Sequence, residues 1–322
     1  MTPAQIRKKL ASLPPNIQGT LWILASAVLF TVMATLVKVL GGRLNSWEVA
    51  FFRSLTAIIV VFPLMARHGW SGFHTKRPLL HLVRGTFGSL GMMCGFYAFV
   101  HLPLATASAI SFSRTLFVVP LACFFVGEII GMRRIGATLA GFLGVLIILR
   151  PSAEMDMAAL VAVMSAVFIA GAATCVKILS RQDGPMILLF SSSLIGVIAT
   201  AIPASFNWVM PTFPELLGLL LMGAFGVSAQ SCFIRAYSVG EMSALAPMDY
   251  TRLIFATLVG FFLFGNLPDV WVFLGSAVIV ASTLYITLRE ARKKTDTGIP
   301  VQEGPELTIS AAEKPSDQQE KG

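Results

Sequence analysis

Charge is what this sequence has least of. Only 12% of its 322 residues are Asp, Glu, Lys or Arg, against roughly 25% in a soluble domain of ordinary composition. That excludes a globular protein with a fully solvated surface. Histidine is scarce as well. His68, His74, His81 and His101 are the whole set, and none belongs to an HExxH zinc pattern. No GxSxG nucleophile turn occurs, nor any phosphate-cradling loop of the form GxxxxGKS or GxxxxGKT. The motif-bearing hydrolases are therefore excluded, as is an ATP-driven pump on this chain alone. The four cysteines, Cys94, Cys123, Cys175 and Cys232, sit inside apolar runs without CxxC spacing. They read as free, packed thiols rather than metal ligands or disulfides. No motif asks for a cofactor.

What the chain has in quantity is apolar residues, 56% of the total, with a mean hydropathy of +0.78. Runs of about 20 such residues recur along most of its length, long enough to cross a bilayer as helices. The expectation is an all-α integral membrane protein with ten transmembrane helices. They fall at 18–40, 46–66, 80–100, 104–126, 133–150, 157–179, 185–204, 214–237, 241–264 and 268–288. Residues 1–17 form a polar arm, too proline-interrupted for the apolar core of a signal peptide, so the first run reads as a retained span. From residue 291 to 322 hydrophobicity drops and charge is mixed, which predicts a disordered tail.

The net charge of +8 does not point to nucleic acid, because the basic residues lie between spans. Arg7, Lys8, Lys9, Arg67, Lys76, Arg77, Arg133, Arg134, Arg181, Arg289, Arg292, Lys293 and Lys294 all fall on one side; Arg43 and Arg150 fall on the other. The positive-inside bias then places both termini in the cytoplasm.

An internal repeat organises the chain. Residues 25–40 align without gaps to 164–179 at an offset of 139, matching Ser26 with Ser165, Thr35 with Thr174 and Lys38 with Lys177. Spans three and four map onto eight and nine at an offset of 138. There Gly85, Gly88, Cys94, Arg114 and Phe117 match Gly223, Gly226, Cys232, Arg252 and Phe255. The repeats cover 18–150 and 151–290, with five spans each. An odd count forces the second to insert upside down, an arrangement that in carriers puts a substrate site near the midplane.

Arg114 and Arg252 lie about ten and twelve residues into spans four and nine, close to the midplane at 1.5 Å per residue. A charge at that depth costs about 2.5–3.5 kcal/mol on insertion scales, so it needs a partner or a wet cavity. The two guanidinium groups either grip a carboxylate or phosphate of a cargo or brace the bundle. Asp249 and Arg252 are spaced i, i+3 and share a helical face if the helix is continuous, which favours pairing. The alternative for Asp249 is a proton-coupling site. Tyr250 flanks the pair, and Pro247 is placed to kink the helix. Tyr97 can stack on a flat ligand or sit in an interfacial belt. Lys38 and Lys177 end equivalent helices on opposite sides; each is a snorkelling anchor or, more sharply, a gate. Glu48 reads as an interfacial residue at a helix N-terminus. The small residues of span three (Gly85, Gly88, Gly91, Gly95) and span five (Ala140, Gly144) read mainly as close helix packing.

The stretch FYAFVHLPLATASAISFSRTLFVVPLACFFVGEIIGMRRIGATLAGFLGVLIIL, 96–149, resembles the drug/metabolite transporter superfamily, in its branch with two EamA-type domains. Glu128 before the basic loop, Gly136 and Gly144 carry the likeness, and Arg53 in FFRSL looks like the arginine common in the family's second span. The second copy departs from the pattern: Asn266 stands for Glu128, and Ser192 for Arg53. APMDYTRLIFATLVGFFLFGNLPD is similar to a sub-branch that includes bacterial riboflavin and S-adenosylmethionine importers and a metallophore exporter. The resemblance implies a secondary carrier, not an enzyme, in the bacterial inner membrane. It would move a small polar or amphipathic metabolite by alternating access, as a monomer or homodimer, with protons as a candidate coupling ion. Three arginines against one aspartate in the expected lining (Arg53, Arg114, Arg252, Asp249) favour an anionic group on the cargo. Arg53 is a candidate for that group or for a partner in the second half, and Glu128 for an inner gate or a loop contact.

Overall fold

The structure is a computed structural model that describes residues 14–66, 75, 77–126, 132–149, 156–179, 183, 185–206, 208–239, 245 and 248–296. The first repeat comprises α1 (Pro15–Leu40), α2 (Ser46–Ala66), α3 (Pro78–His101), α4 (Leu104–Phe112), α5 (Arg114–Val126) and α6 (Met132–Leu149). The second comprises α7 (Met157–Leu179), α8 (Pro185–Phe206), α9 (Phe213–Val239), α10 (Thr251–Phe264) and α11 (Val270–Asp296). Span four is thus two helices, α4 and α5, where one was expected. α11 runs six residues into the stretch expected to be tail.

By length and composition, six spans can cross a membrane: α1, 46–63 of α2, the α4–α5 unit, α7, 187–206 of α8, and α9. Stretches of α6, α10 and α11 are shorter but apolar. α3 has the length, and His81, Arg84 and four glycines dilute its hydropathy. Ten crossings return the chain to the face where it began, called here the termini face; its opposite is the far face.

Burial runs inside out relative to a soluble protein. Large apolar side chains such as Phe124, Phe206 and Phe262 are exposed, while Ser26, Thr31, Ser165, Thr174, Glu48 and His81 are buried. Lipid tails solvate the apolar rim, so polar groups must find partners within the bundle. Serines and threonines do so by bonding back to the preceding turn, as Thr31 Oγ1 does to the Ala27 carbonyl at 2.8 Å.

The repeat is written into the packing. α1 lies against α9 as α3 lies against α7, and α2 meets α9 as α8 meets α3. Ser26 Oγ donates to the Ala229 carbonyl at 2.9 Å, and its counterpart Ser165 donates to the Gly91 carbonyl at 2.6 Å. These bonds coincide under the offsets of 139 and 138. The inverted two-repeat architecture therefore holds at the level of single hydrogen bonds. On the axis, α2 packs on α8, α4 on α10 and α6 on α11. Gly144 and Gly275 make the last contact possible, since a Cβ on Gly275 would stand 2.6 Å from the Gly144 carbonyl oxygen. Span three's glycines also pack, with Gly85, Gly91 and Gly95 pressed on Ile195, Ile169 and Ser165, whereas Gly88 faces open space.

Candidate functional site

Spans four and nine are interrupted at equivalent places by the same device. Ser113 Oγ donates to the Ile110 carbonyl at 2.6 Å, and Thr251 Oγ1 to the Met248 carbonyl at 2.7 Å. An offset of 138 carries one bond onto the other. A hydroxyl bonded to the preceding turn competes with the helical ladder and bends it. Helix α4 ends at Phe112 and α10 begins after Tyr250, so these two equivalent residues flank the breaks. Their rings touch across the repeat axis, with centroids 4.7 Å apart. The Tyr250 hydroxyl is anchored on Thr283 Oγ1 of α11.

Arg252 lies two residues beyond the turn at Tyr250 and turns back to the first repeat. Its Nη2 donates to Ser111 Oγ at 3.1 Å. Its Cζ lies 4.7 Å from the Phe112 ring centroid and 5.4 Å from that of Phe30 on α1. Asp249 and Arg114 are within electrostatic reach of it, and the same two charges act on Tyr237 and Tyr250. Arg252 and Tyr250 therefore both meet Phe112 at the repeat axis, with the charges of Arg114 and Asp249 close enough to act on them.

The expected Asp249–Arg252 ion pair is not present. The turn at Tyr250 separates the two residues, so i, i+3 no longer means one helical face, and Arg252 bonds to Ser111 instead. Ser111 is the repeat counterpart of Asp249. Tyr97 lies elsewhere: its ring stacks on His101 at the far-face end of α3, 4.0 Å between centroids. Arg53 lies on α2 across from α9, its Nε 3.4 Å from where Gly226 would carry a Cβ. Glu128 and Pro247 fall outside the described residues.

Lys38 does not snorkel. It ends α1, and its Nζ donates to the carbonyls of Phe99 (3.3 Å), Val100 (3.2 Å) and Leu102 (2.7 Å). Those oxygens belong to the C-terminal end of α3, where a helix leaves its last carbonyls unpaired. The ammonium also sits 5.5 Å from the Phe264 ring at the end of α10. One cation thus joins α1, α3 and α10 at the far face. The counterpart Lys177 is exposed. The helices differ in the same sense: α1 packs on α3, while their counterparts α7 and α9 make no more than marginal contact. At the far face α1 and α3 are thus joined, while α7 and α9 are not.

Two polar ties between corresponding elements lie at the two ends. At the far face Arg43, after α1, grips Glu215 at the start of α9 through Nε and Nη2, and Nη2 also donates to the Met210 carbonyl at 2.9 Å. At the termini face Asp183, after α7, bonds His81 at the start of α3 (2.8 Å) and accepts from Thr75 (2.8 Å). His81 also bonds Ser191 of α8 at 2.8 Å. Glu48 is wholly buried rather than interfacial. Its Oε2 takes a long bond from the Val209 N–H (3.4 Å), and its Oε1 has no partner among the described residues.

Burial pushes the Asp183 carboxyl up, but the bonds from His81 and Thr75 outweigh it and hold the group below its ordinary range. A depressed folded-state value gives stability that is full above the unfolded carboxylate pKa, about 3.9, and is lost as pH falls through the folded value. Detergent-solubilised protein should therefore lose thermal stability below about pH 4. Asp183→Asn should melt lower at neutral pH and show a flatter acid limb; parallel melting curves for the two proteins would contradict this tie.

A ten-span bundle of two inverted repeats, with arginines and aromatic rings at its axis, is the architecture of a membrane carrier. The profile of the EamA-like transporter family matches residues 17–150 and 156–288, and the chain belongs to that family. It is a multi-pass membrane transporter for a small-molecule substrate, not an enzyme. It is 33% identical over 276 residues to an S-adenosylmethionine uptake transporter of Rickettsia bellii, covering 85% of this chain and 94% of that one. It is 30% identical over 273 residues to a pseudopaline exporter of Pseudomonas aeruginosa (84% and 95% covered). A riboflavin transporter of Vibrio cholerae is 30% identical over 284 residues (86% and 95%). One crystal structure of another protein matches with a TM-score of 0.57 at 19% identity, over 85% of this chain and 98% of that one, a likeness of fold.

Proposed function

We propose that this transporter imports a small amphipathic metabolite with a carboxylate across a bacterial inner membrane by alternating access, S-adenosylmethionine being the first cargo to test. The observation that carries this reading is the centre where the two broken spans meet. Arg252 is framed there by Ser111, Phe30 and Phe112, with Arg114 and Asp249 in reach. Such a centre offers guanidinium groups to an anion, a carboxylate to an ammonium and ring faces to a heteroaromatic group or a sulfonium. S-adenosylmethionine has all of these. Asp249, which makes no ion pair with Arg252, is the group for the cargo's ammonium, or for a coupling proton in an empty return step.

The asymmetry of the bundle supports alternating access. At one face Lys38 joins α1 to α3, while the equivalent helices α7 and α9 stand apart. Exchanging the two arrangements between inverted repeats opens the other face. By the positive-inside bias the termini face is cytoplasmic, and the parted side is then the one that releases an imported cargo.

Cargo differs among relatives of similar identity, so cargo is the first thing to measure. Purified protein in liposomes should take up labelled S-adenosylmethionine saturably, with competition by the unlabelled compound and little by riboflavin. Riboflavin uptake without S-adenosylmethionine uptake would reassign the cargo. Uptake of neither would remove the import reading.

A further inference from the structure

We infer that Arg53 is the anchor for the cargo's carboxylate, and that Arg252, the more conspicuous arginine, mainly shapes the aromatic middle of the site. This rests on the carrier reading above and assigns the anionic end of the cargo to one residue. Arg53, Arg114 and Arg252 differ in how far their charge is already met. Arg252 has a hydroxyl, two ring faces and the field of Asp249. Arg114 makes no hydrogen bond, ion pair or ring contact among the described residues either, but it lies in the charged centre around Tyr250, where it and Asp249 act on the same groups. Arg53 makes no hydrogen bond, ion pair or ring contact among the described residues, and no neighbouring charge acts on it. A guanidinium inside a bundle without a partner needs water or an anion.

Arg53 is also half-buried rather than sealed off. Sealed, unpaired polar atoms occur at Arg84 Nε and Glu48 Oε1, and none of the Arg53 nitrogens is among them. Its Nε and the Met33 sulfur converge on Gly226, 3.4 Å and 2.9 Å from where a Cβ would stand. Met33 is one helical turn from Phe30 on α1, and Phe30 is the ring beneath Arg252. Residues at i and i+3 share a helix face. One face of α1 therefore runs from Arg252, past a ring, to the unpaired Arg53. That order suits a cargo with a flat or apolar middle and a carboxylate at one end.

The repeat makes the anchor one-sided. Under the offsets, Arg53, Met33 and Gly226 correspond to Ser192, Ala172 and Gly88, and Gly88 has nothing within 4 Å of its would-be Cβ. The second repeat leaves a gap where the first places a guanidinium. The cargo's anionic end thus has one charged station and is held by the half that carries α1, α2 and α9.

The test compares S-adenosylmethionine with its decarboxylated analogue on purified protein in liposomes. The native protein should bind the analogue at least about tenfold more weakly, the loss expected when a charge-assisted pair goes unmade. In Arg53→Gln the two compounds should bind alike, at the analogue's affinity, and Arg53→Lys should recover part of the difference. Gly226→Ala keeps the arginine but crowds its Nε, and should narrow the discrimination even if the Arg53 variants do not fold. Discrimination retained in full by Arg53→Gln, or by Gly226→Ala where Arg53→Gln is unfolded, overturns the anchor while leaving the carrier reading intact. A native protein that binds both compounds equally overturns the anchor too. One that binds neither overturns both the anchor and the cargo.

Discussion

Arg252→Ala should reduce cargo uptake roughly 100-fold at matched expression, and Arg252→Lys should not restore it. A charge-assisted hydrogen bond such as that to Ser111 is worth about 1.5–3 kcal/mol. A desolvated guanidinium over an aromatic face adds about 0.5–2 kcal/mol, and here two faces are engaged, Phe112 and Phe30. Because these contacts join α1, α4 and α10, losing them costs both the shape of the site and the register between repeats. Lysine keeps the charge but has neither the plane that stacks on two rings nor the fork that reaches Ser111 at the same time. The readout is initial uptake together with melting temperature in detergent. A low melting temperature with proportionate uptake would indicate bracing, whereas near-native melting with uptake lost indicates a site. Uptake in Arg252→Ala within about threefold of native would sink the central role, because that is under 1 kcal/mol.

The span count and the repeat were legible because each is a long pattern. Apolar runs of bilayer length need no tertiary information, and an offset kept over four spans survives any error in span ends. The arginines were legible because a charge inside an apolar run is conspicuous. What the sequence hid were choices made between distant segments. The breaks at Ser113 and Tyr250 turn on hydroxyls that could equally have faced neighbouring helices; the one available signal was Ser113 and Thr251 recurring at 138. Assuming an unbroken helix there produced the mistaken Asp249–Arg252 pair. Lys38 looked like a snorkelling anchor because nothing local shows that α3 ends beneath it, some 60 residues on. His81 and Asp183, 102 residues apart, carry no shared motif. Neither do Arg43 and Glu215, 172 apart. Glu48 was misplaced because a carboxylate in a first helical turn normally faces water, whereas here the chain around Val209 folds over it.

Lys38→Met should open the far face without weakening cargo binding. Methionine keeps the apolar stem and removes only the ammonium, so packing of α1 is preserved while the carbonyls of Phe99, Val100 and Leu102 lose their donor. In the sealed state those oxygens are then stranded; with the far face open, water reaches them. The substitution thus penalises one state selectively, which is the condition for a population shift. Losing a charged donor shared by three carbonyls costs about 1.5–3 kcal/mol, a shift of roughly 10- to 100-fold toward the open form. Ala34 is buried beneath the lock with Leu104 and Ala256, so a cysteine placed there reports the opening. In a background without the four native cysteines, Ala34→Cys should react with an impermeant thiol reagent from the far face at least about tenfold faster when Lys38 is methionine. Net uptake should fall, because the carrier dwells on the wrong side of its cycle, while equilibrium affinity for cargo stays near native. Unchanged reactivity at Ala34→Cys would return Lys38 to an anchor. Equal gains from both faces would mean that the bundle had loosened rather than switched.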